Sequence, residues 1–162
     1  MWKGAIAGAC GGLIGAAAME RFQALWSWTA KRVRPPRQAH ASGDDPATVR
    51  VAERVSEAIR DEPLAEPEKA PAGEAVHYAM GIATGALYGA ASDVLPFVTG
   101  AVGLPFGIAV WLAADELALW RAGLAKKPTE YPASTHAYAF VSHLVYGATT
   151  ELVRRSVRAL LD

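Results

Sequence analysis

Four long apolar stretches, residues 4–30, 75–95, 99–119 and 135–153, constrain this chain more than any other feature. Each holds 19 to 27 residues, and at about 1.5 Å of rise per helical residue that length crosses a hydrocarbon core roughly 30 Å thick. A buried strand would be a β-branched run of about 5 to 8 residues, whereas Ala, Gly and Leu dominate here. The expected fold is all-α: a single domain over residues 1–162, built as a polytopic four-transmembrane-helix bundle.

Charge is segregated in the same way. Residues 31–74 carry 17 of the 32 charged side chains and six of the ten prolines, while the other 118 residues carry only 15 charges. This segment reads as a polar cytoplasmic insert. The formal net charge is zero, so no nucleic-acid partner is expected, since phosphate binding shows as a surplus of Lys and Arg on one face. A single cysteine excludes an internal disulfide and a Cys-based metal cage.

The first stretch has a rival reading as a secretory signal, because Met1-Trp2-Lys3 precedes an apolar run that reaches Ala16-Ala17-Ala18. The stretch continues, however, through Phe22, Leu25, Trp26 and Trp28 to Lys31, Arg32, Arg34 and Arg37, an aromatic belt followed by a basic stop. The surroundings of Cys10 lack the leucine and the preceding chain of a lipidation signal. Eleven basic residues fall in the insert and the third connection (Arg121, Lys126, Lys127), against Lys3, Arg154, Arg155 and Arg158 on the other side. The excess places both long loops in the cytoplasm and both termini in the periplasm of a bacterial inner (plasma) membrane.

Small residues recur at every fourth position: Gly4, Gly8, Gly12 and Ala16 in the first stretch, with Gly11 and Gly15 beside them, Gly81, Gly85 and Gly89 in the second, Gly103 and Gly107 in the third. Such a stripe lies on one helix face and lets two backbones approach, the device that replaces hydrophobic association within lipid. It predicts a tight bundle with glycine faces left over for a homodimer or a larger membrane complex. Pro96 is expected to end the second span, and Pro105 to kink the third or to start a new helix there. Arg34-Pro35-Pro36-Arg37 reads as a stiff exit from the membrane. Within the insert, Val49, Ala52, Val55, Ala58 and Ile59 have helical spacing after the candidate caps Asp44 and Asp45, predicting an amphipathic helix against the bundle or the headgroups. Residues 62–74, with Pro63, Pro67 and Pro71, read as a linker.

An ionisable side chain inside a span faces protein or water and is a candidate functional group. The candidate intramembrane polar site comprises Glu20, Arg21, His77, Asp115, Glu116, His136, His143 and Glu151. Glu20 continues the glycine face of the first span, while Arg21 can snorkel to the interface. His77 shares a face with Gly81, Thr84 and Tyr88; Asp93 lies toward the far end of that span. Asp115 and Glu116 are adjacent, so an α-helix would point at most one of them at the bundle centre, and His136, His143 and Gly147 share a face. Three roles stay open. The groups pair across helices, for example Arg21 with Asp115, Glu116 or Glu20; or they form a proton-responsive site centred on His143 with Glu116, Glu20 and Glu151; or His77 and His143 ligate a haem or metal. No Glu-x-x-His pair, phosphate loop or Gly-x-Ser-x-Gly elbow is present. No enzyme activity, resident cofactor or metal is therefore expected.

The order of motifs, a glycine-rich first span, the Arg34-Pro35-Pro36-Arg37 exit, a His77-led span with Gly81, Gly85, Tyr88 and Gly89, and a last span reading Ser142-His143-Leu144-Val145-Tyr146-Gly147 with Glu151 beyond, resembles the YagU-like family of small bacterial inner-membrane proteins, a family of unknown function. The resemblance covers most of the chain outside the insert. It implies an inner-membrane location and a multi-span bundle, and it singles out His77, Glu116, His136 and His143 for test. The insert here is long and mixed in charge, so a partner that binds it need not be a family trait.

Overall fold

The computed structural model describes residues 1–33 and 45–161; the basic exit at residues 34–37 and the candidate cap Asp44 lie outside the described residues. Within them the chain is helical, without strands: α1 (Trp2–Val33), α2 (Ala47–Arg60), α3 (Glu66–Ser92), a 3-10 segment (Pro96–Gly103), α4 (Leu104–Trp111), a π-helical stretch (Leu112–Ala118), α5 (Leu119–Arg121), a 3-10 turn (Pro128–Glu130) and α6 (Ala133–Leu161).

The long elements run antiparallel in sequence order. α1 packs along both α3 and α6, and α4 packs on α6. Tyr88 of α3 stacks on Phe106 of α4 with ring centroids 4.1 Å apart, joining the remaining pair. One end of the bundle collects the chain termini and the 3-10 segment: the Met1 amino group lies 2.8 Å from Asp93, and Lys3 donates to the carbonyl of Leu161 at 2.6 Å. The opposite end carries α2, whose Arg50 donates to the Leu124 carbonyl at 2.7 Å.

Glycine sets the helix spacing. A methyl group at Gly12 would lie 3.1 Å from the Cα of Gly85, and one at Gly8 or Gly89 would lie 2.8 Å from the Cα of the other. Gly4 faces the Gly89 carbonyl and Gly81 the Ala16 side chain. Gly11 and Gly15, on another side of α1, receive Thr150 and Tyr146 of α6. The α4–α6 contact has the same character: Gly107 meets the His143 backbone and Gly103 that of Gly147. Gly103 also adopts φ +78° as the cap of α4, where a Cβ would be strained.

Polarity is inverted relative to a water-soluble bundle. The largest fully buried side chains are Glu151, Thr150 and Ser142, whereas Leu87 is 71% exposed, Trp2 65% and Leu152 55%. One helical run among the described residues, Pro96–Arg121, is long and apolar enough to cross a membrane by length and composition, and 11% of its most apolar window is buried inside the protein. The expectation of four such runs is not met on that criterion. The glycines that bring α1 and α3 together, and polar groups such as Glu20, Arg21, Glu151 and Arg154, dilute the hydropathy of the other three helices.

Several local expectations change. The proline-rich residues 62–74 do not form a linker along their whole length, because α3 begins at Glu66. Pro67 occupies the first turn, where a missing N–H costs nothing, and the Glu68 carboxylate accepts from the Ala65 N–H at 2.9 Å, a bond that lowers its pKa. Pro71 is accommodated inside this helix. α2 forms where amphipathic spacing predicts it, but it buries Val49, Ala52 and Ser56 and leaves Val55 and Ile59 exposed. Val49 is brought against Gly73, which rotates the buried face away from the expected stripe. Asp45 does not cap α2; it pairs with Lys69 at 2.9 Å. Pro105 sits in the first turn of α4, so the chain starts a new helix there.

Candidate functional site: a polar face on α6 and the cleft beside it

Ser142, His143, Tyr146, Thr150, Glu151 and Arg154 are the buried polar residues of α6. Their spacing follows the 3.6-residue period, so they share one broad face, and that face looks onto α1, α3 and α4.

At the termini end this face is a closed ion-pair network. Glu151 has no exposed surface. It receives Arg154 through both oxygens, Nε at 2.7 Å and Nη2 at 2.9 Å, together with Arg155 Nε at 2.5 Å and the Tyr88 hydroxyl at 2.8 Å. Arg155 also donates to the Thr99 carbonyl at 3.0 Å, and Arg158 lies 3.4 Å from Asp93. A buried carboxylate is tolerable only when its oxygens are filled in this way. The donors Arg154, Arg155 and Tyr88 were not among the residues that sequence reasoning selected. The signal was nonetheless present, since arginines three and four positions after a glutamate lie beside it on a helix.

Midway along α6, Tyr146 donates its hydroxyl to the Gly81 carbonyl at 2.8 Å and shares a 2.8 Å contact with Thr84. Gly81 makes this possible by presenting its backbone without a side chain.

At the insert end lies the chemistry expected of histidine and carboxylate. Asp115 and Glu116 both sit in the π-helical stretch, and both face α6: Glu116 is 2.6 Å from His136 Nδ1, and Asp115 is 3.7 Å from His143 Nδ1. Asp115 lines the cleft with His143, whereas Glu116 does not and meets the part-exposed His136 instead. His136 and His143 lie seven residues, about two turns, apart on α6, so the consecutive carboxylates need not aim at one point. The π turn, with bonds from residue i to i+5, supplies the local geometry.

The two histidines differ in what they hold. His136 Nε2 lies 2.9 Å from the carbonyl of Pro128, which can only accept, so Nε2 carries a proton. With Glu116 2.6 Å from Nδ1, an unprotonated nitrogen facing a carboxylate would be repulsive, so a further proton lies between ring and carboxyl. His143 Nδ1 donates to the Ala139 carbonyl at 2.9 Å, so this nitrogen carries a proton.

His143 and Asp115 line a cleft of about 760 Å³ between α3 and the α4–α6 pair, reaching up to the start of α2. Glu20, Glu74, His77 and Tyr146 line it as well. Glu20 accepts the Tyr78 hydroxyl at 2.5 Å, and His77 Nε2 lies 3.3 Å from the Ala16 carbonyl. Arg21 is exposed on α1, and the three carboxylates expected for it have other neighbours. The expected cluster of His143 with Glu116, Glu20 and Glu151 is divided: Glu20 shares the cleft, Glu116 belongs to His136, and Glu151 is sealed with its arginines. At the outer rim Lys69 lies between Glu66 at 2.7 Å, Asp45 at 2.9 Å and Glu53 at 3.5 Å. Its bonds to Glu66 and Asp45 hold the ammonium well above the usual lysine range. Among the described residues no group of three or more His, Cys, Asp or Glu side chains is placed to hold a metal ion.

Comparison with curated proteins and with solved structures gives no match. A family model does match, over residues 23–152. That interval contains His77, Asp115, Glu116, His136, His143 and Glu151, while the glycine half of α1, Glu20 and Arg154 lie outside it. With four fifths of its length matched, the chain belongs to the family described as Protein of unknown function (DUF1440).

Proposed function

We propose that this chain is a multi-pass inner-membrane protein whose interior histidines and carboxylates take up and release protons, giving it a pH-responsive role rather than a catalytic one. The observation that carries the reading is the double pairing across the bundle: Asp115 with His143 and Glu116 with His136, the first pair opening on a cleft. Histidine is the side chain whose ordinary titration falls near physiological pH, and carboxylates within a few ångströms couple to it. Asp115 on the π stretch approaches His143, and the other titratable groups on the same cleft are His77 and Glu74 on α3, Glu20 on α1, Tyr146 on α6 and, at the outer rim, Asp45, Glu66 and Lys69.

Membrane location is supported by the inverted polarity. Fully buried Glu151, Thr150 and Ser142 with an outer surface of Leu, Ile and Trp suit a lipid surround. The likeness to the YagU-like family points the same way, as does the placing of both long connections at one end. The Lys/Arg excess favours that end as the cytoplasmic one. Arg154, Arg155 and Arg158, the main contrary count, are held by Glu151 and Asp93.

The test is a ring-nitrogen NMR titration of the full chain in nanodiscs between about pH 4 and 9, with His143→Gln and His136→Gln assigning the signals. The expected result is that Glu116→Gln changes the pH response of the His136 signal and Asp115→Asn that of the His143 signal. Signals whose pH response neither carboxylate change alters would overturn the reading.

A further inference from the structure

The cleft is charged in one sense. Five carboxylates line it, Glu20, Asp45, Glu66, Glu74 and Asp115, against the single ammonium of Lys69, and that ammonium is already engaged by Asp45 and Glu66. Between the acidic groups the wall is apolar, formed by Met19, Met80, Val110 and Leu119. A volume of about 760 Å³ falls in the range of small-molecule sites, roughly 300 to 1,000 Å³.

An independent feature lies at the inner end. His143 is only 7% exposed, and its Nδ1 is committed to the Ala139 carbonyl. Its other nitrogen, Nε2, makes no hydrogen bond to the described residues, on a side chain that lines the cleft. The hydroxyls of Thr84 and Tyr146 nearby are occupied with each other and with the carbonyls of Met80 and Gly81, so Nε2 and the Asp115 carboxylate are the acceptors offered at this end of the cleft.

We infer that the cleft binds a small organic ammonium with an apolar body, its N–H donated to His143 Nε2, its charge set against Asp115 and its apolar part lying along Met19, Met80 and Leu119. A bare metal cation would leave the apolar wall unused, and an anion would meet five carboxylates. A proton on Nε2 removes the acceptor and adds a positive charge, so proton and ammonium compete for one nitrogen. Only this competition rests on the proton-linked reading above. The titratable groups on the cleft that holds the ammonium are those named above with His143.

The experiment is calorimetric titration of the full chain in phosphatidylcholine nanodiscs, with empty discs as the blank. The probe is 4-phenylbutylammonium, compared with its N,N,N-trimethyl analogue, which has no N–H, and with 4-phenylbutanol, which has no charge. Saturable binding of the primary ammonium is expected, about tenfold or more tighter than of either analogue. It should weaken in acid, where Nε2 takes up a proton, and by a similar factor at neutral pH in His143→Gln and in Asp115→Asn. Glu116→Gln, which alters the other pair, should leave it unchanged. Absence of saturable binding, equal binding of the three probes, or unchanged affinity in both His143→Gln and Asp115→Asn overturns the inference. If His143 still titrates in coupling with Asp115 in that case, the proton-linked reading stands without the ligand. If the ammonium binds with the expected selectivity while His143 is uncoupled, the ligand site stands and the proton-linked reading falls.

Discussion

Glu151 shows how one residue decides the local architecture. Sealed from solvent and filled by Arg154, Arg155 and Tyr88, it cannot lose its charge without leaving two arginines short of a partner. Breaking one member of a buried pair costs about 3 to 5 kcal/mol, so Glu151→Gln should lower stability by at least about 3 kcal/mol, whereas Tyr88→Phe, which removes one hydrogen bond, should cost only about 1 kcal/mol. Equilibrium unfolding in mixed micelles reads both. Gly85 makes the complementary case: its missing side chain lets α1 and α3 touch backbone to backbone. Gly85→Leu should destabilise by about 1 to 3 kcal/mol or more through overpacking, seen as an earlier unfolding midpoint. These two roles were unequally readable. The glycine stripe is visible as a period of four, while Glu151 was selected as a lone ionisable group and its arginines were counted only as topology markers. A salt bridge within one helix is local and could have been read from the Glu-x-x-Arg-Arg order.

At the scale of elements, the π-helical stretch is what sequence periodicity missed. Counting by 3.6 puts Asp115 and Glu116 about 100° apart and lets one point inward; the wider turn, together with two histidines two turns apart on α6, gives each carboxylate its own partner. π turns recur at functional sites because they re-aim side chains without ending a helix. Deleting Ala113 removes the extra residue and restores α periodicity, rotating the following side chains by about 100°. The expected outcome is a folded protein, by its circular dichroism, in which the ring-nitrogen signals of His136 and His143 both lose their carboxylate neighbours. Retention of both pairings would show that the π turn does not position them. α3 teaches a related lesson. Pro67 and Pro71 looked like linker residues, yet the first turn of the helix takes Pro67, Pro71 is accommodated farther along it, and α2 packs across Gly73 in the same region. Composition alone carries no sign of that packing.

At the scale of the whole molecule, the all-helical class and the glycine faces were legible because both are periodic, short-range signals. The cleft was not, because it is made by α1, α2, α3, α4, the π stretch and α6, segments as far apart in the chain as residues 16 and 146. The polarity of the assembly also emerges only in three dimensions. Among the described residues, hydropathy finds one run long and apolar enough to cross a membrane, Pro96–Arg121, since glycines and internal polar groups lower the average of helices that nonetheless expose large apolar side chains.

The proposed role depends on that outward surface meeting lipid, and substituted-cysteine labelling in intact cells tests it most directly. In a Cys10→Ser background, single cysteines would replace Phe97 at the termini end, Ile59 on α2 and Leu87 in the middle of α3, positions 78%, 78% and 71% exposed. The account predicts that a membrane-impermeant maleimide labels Phe97→Cys from outside, labels Ile59→Cys only after the membrane is opened, and leaves Leu87→Cys unreacted in both cases because a thiol in hydrocarbon does not ionise. Rapid labelling of Leu87→Cys, or labelling of Phe97→Cys and Ile59→Cys from the same side, would contradict it.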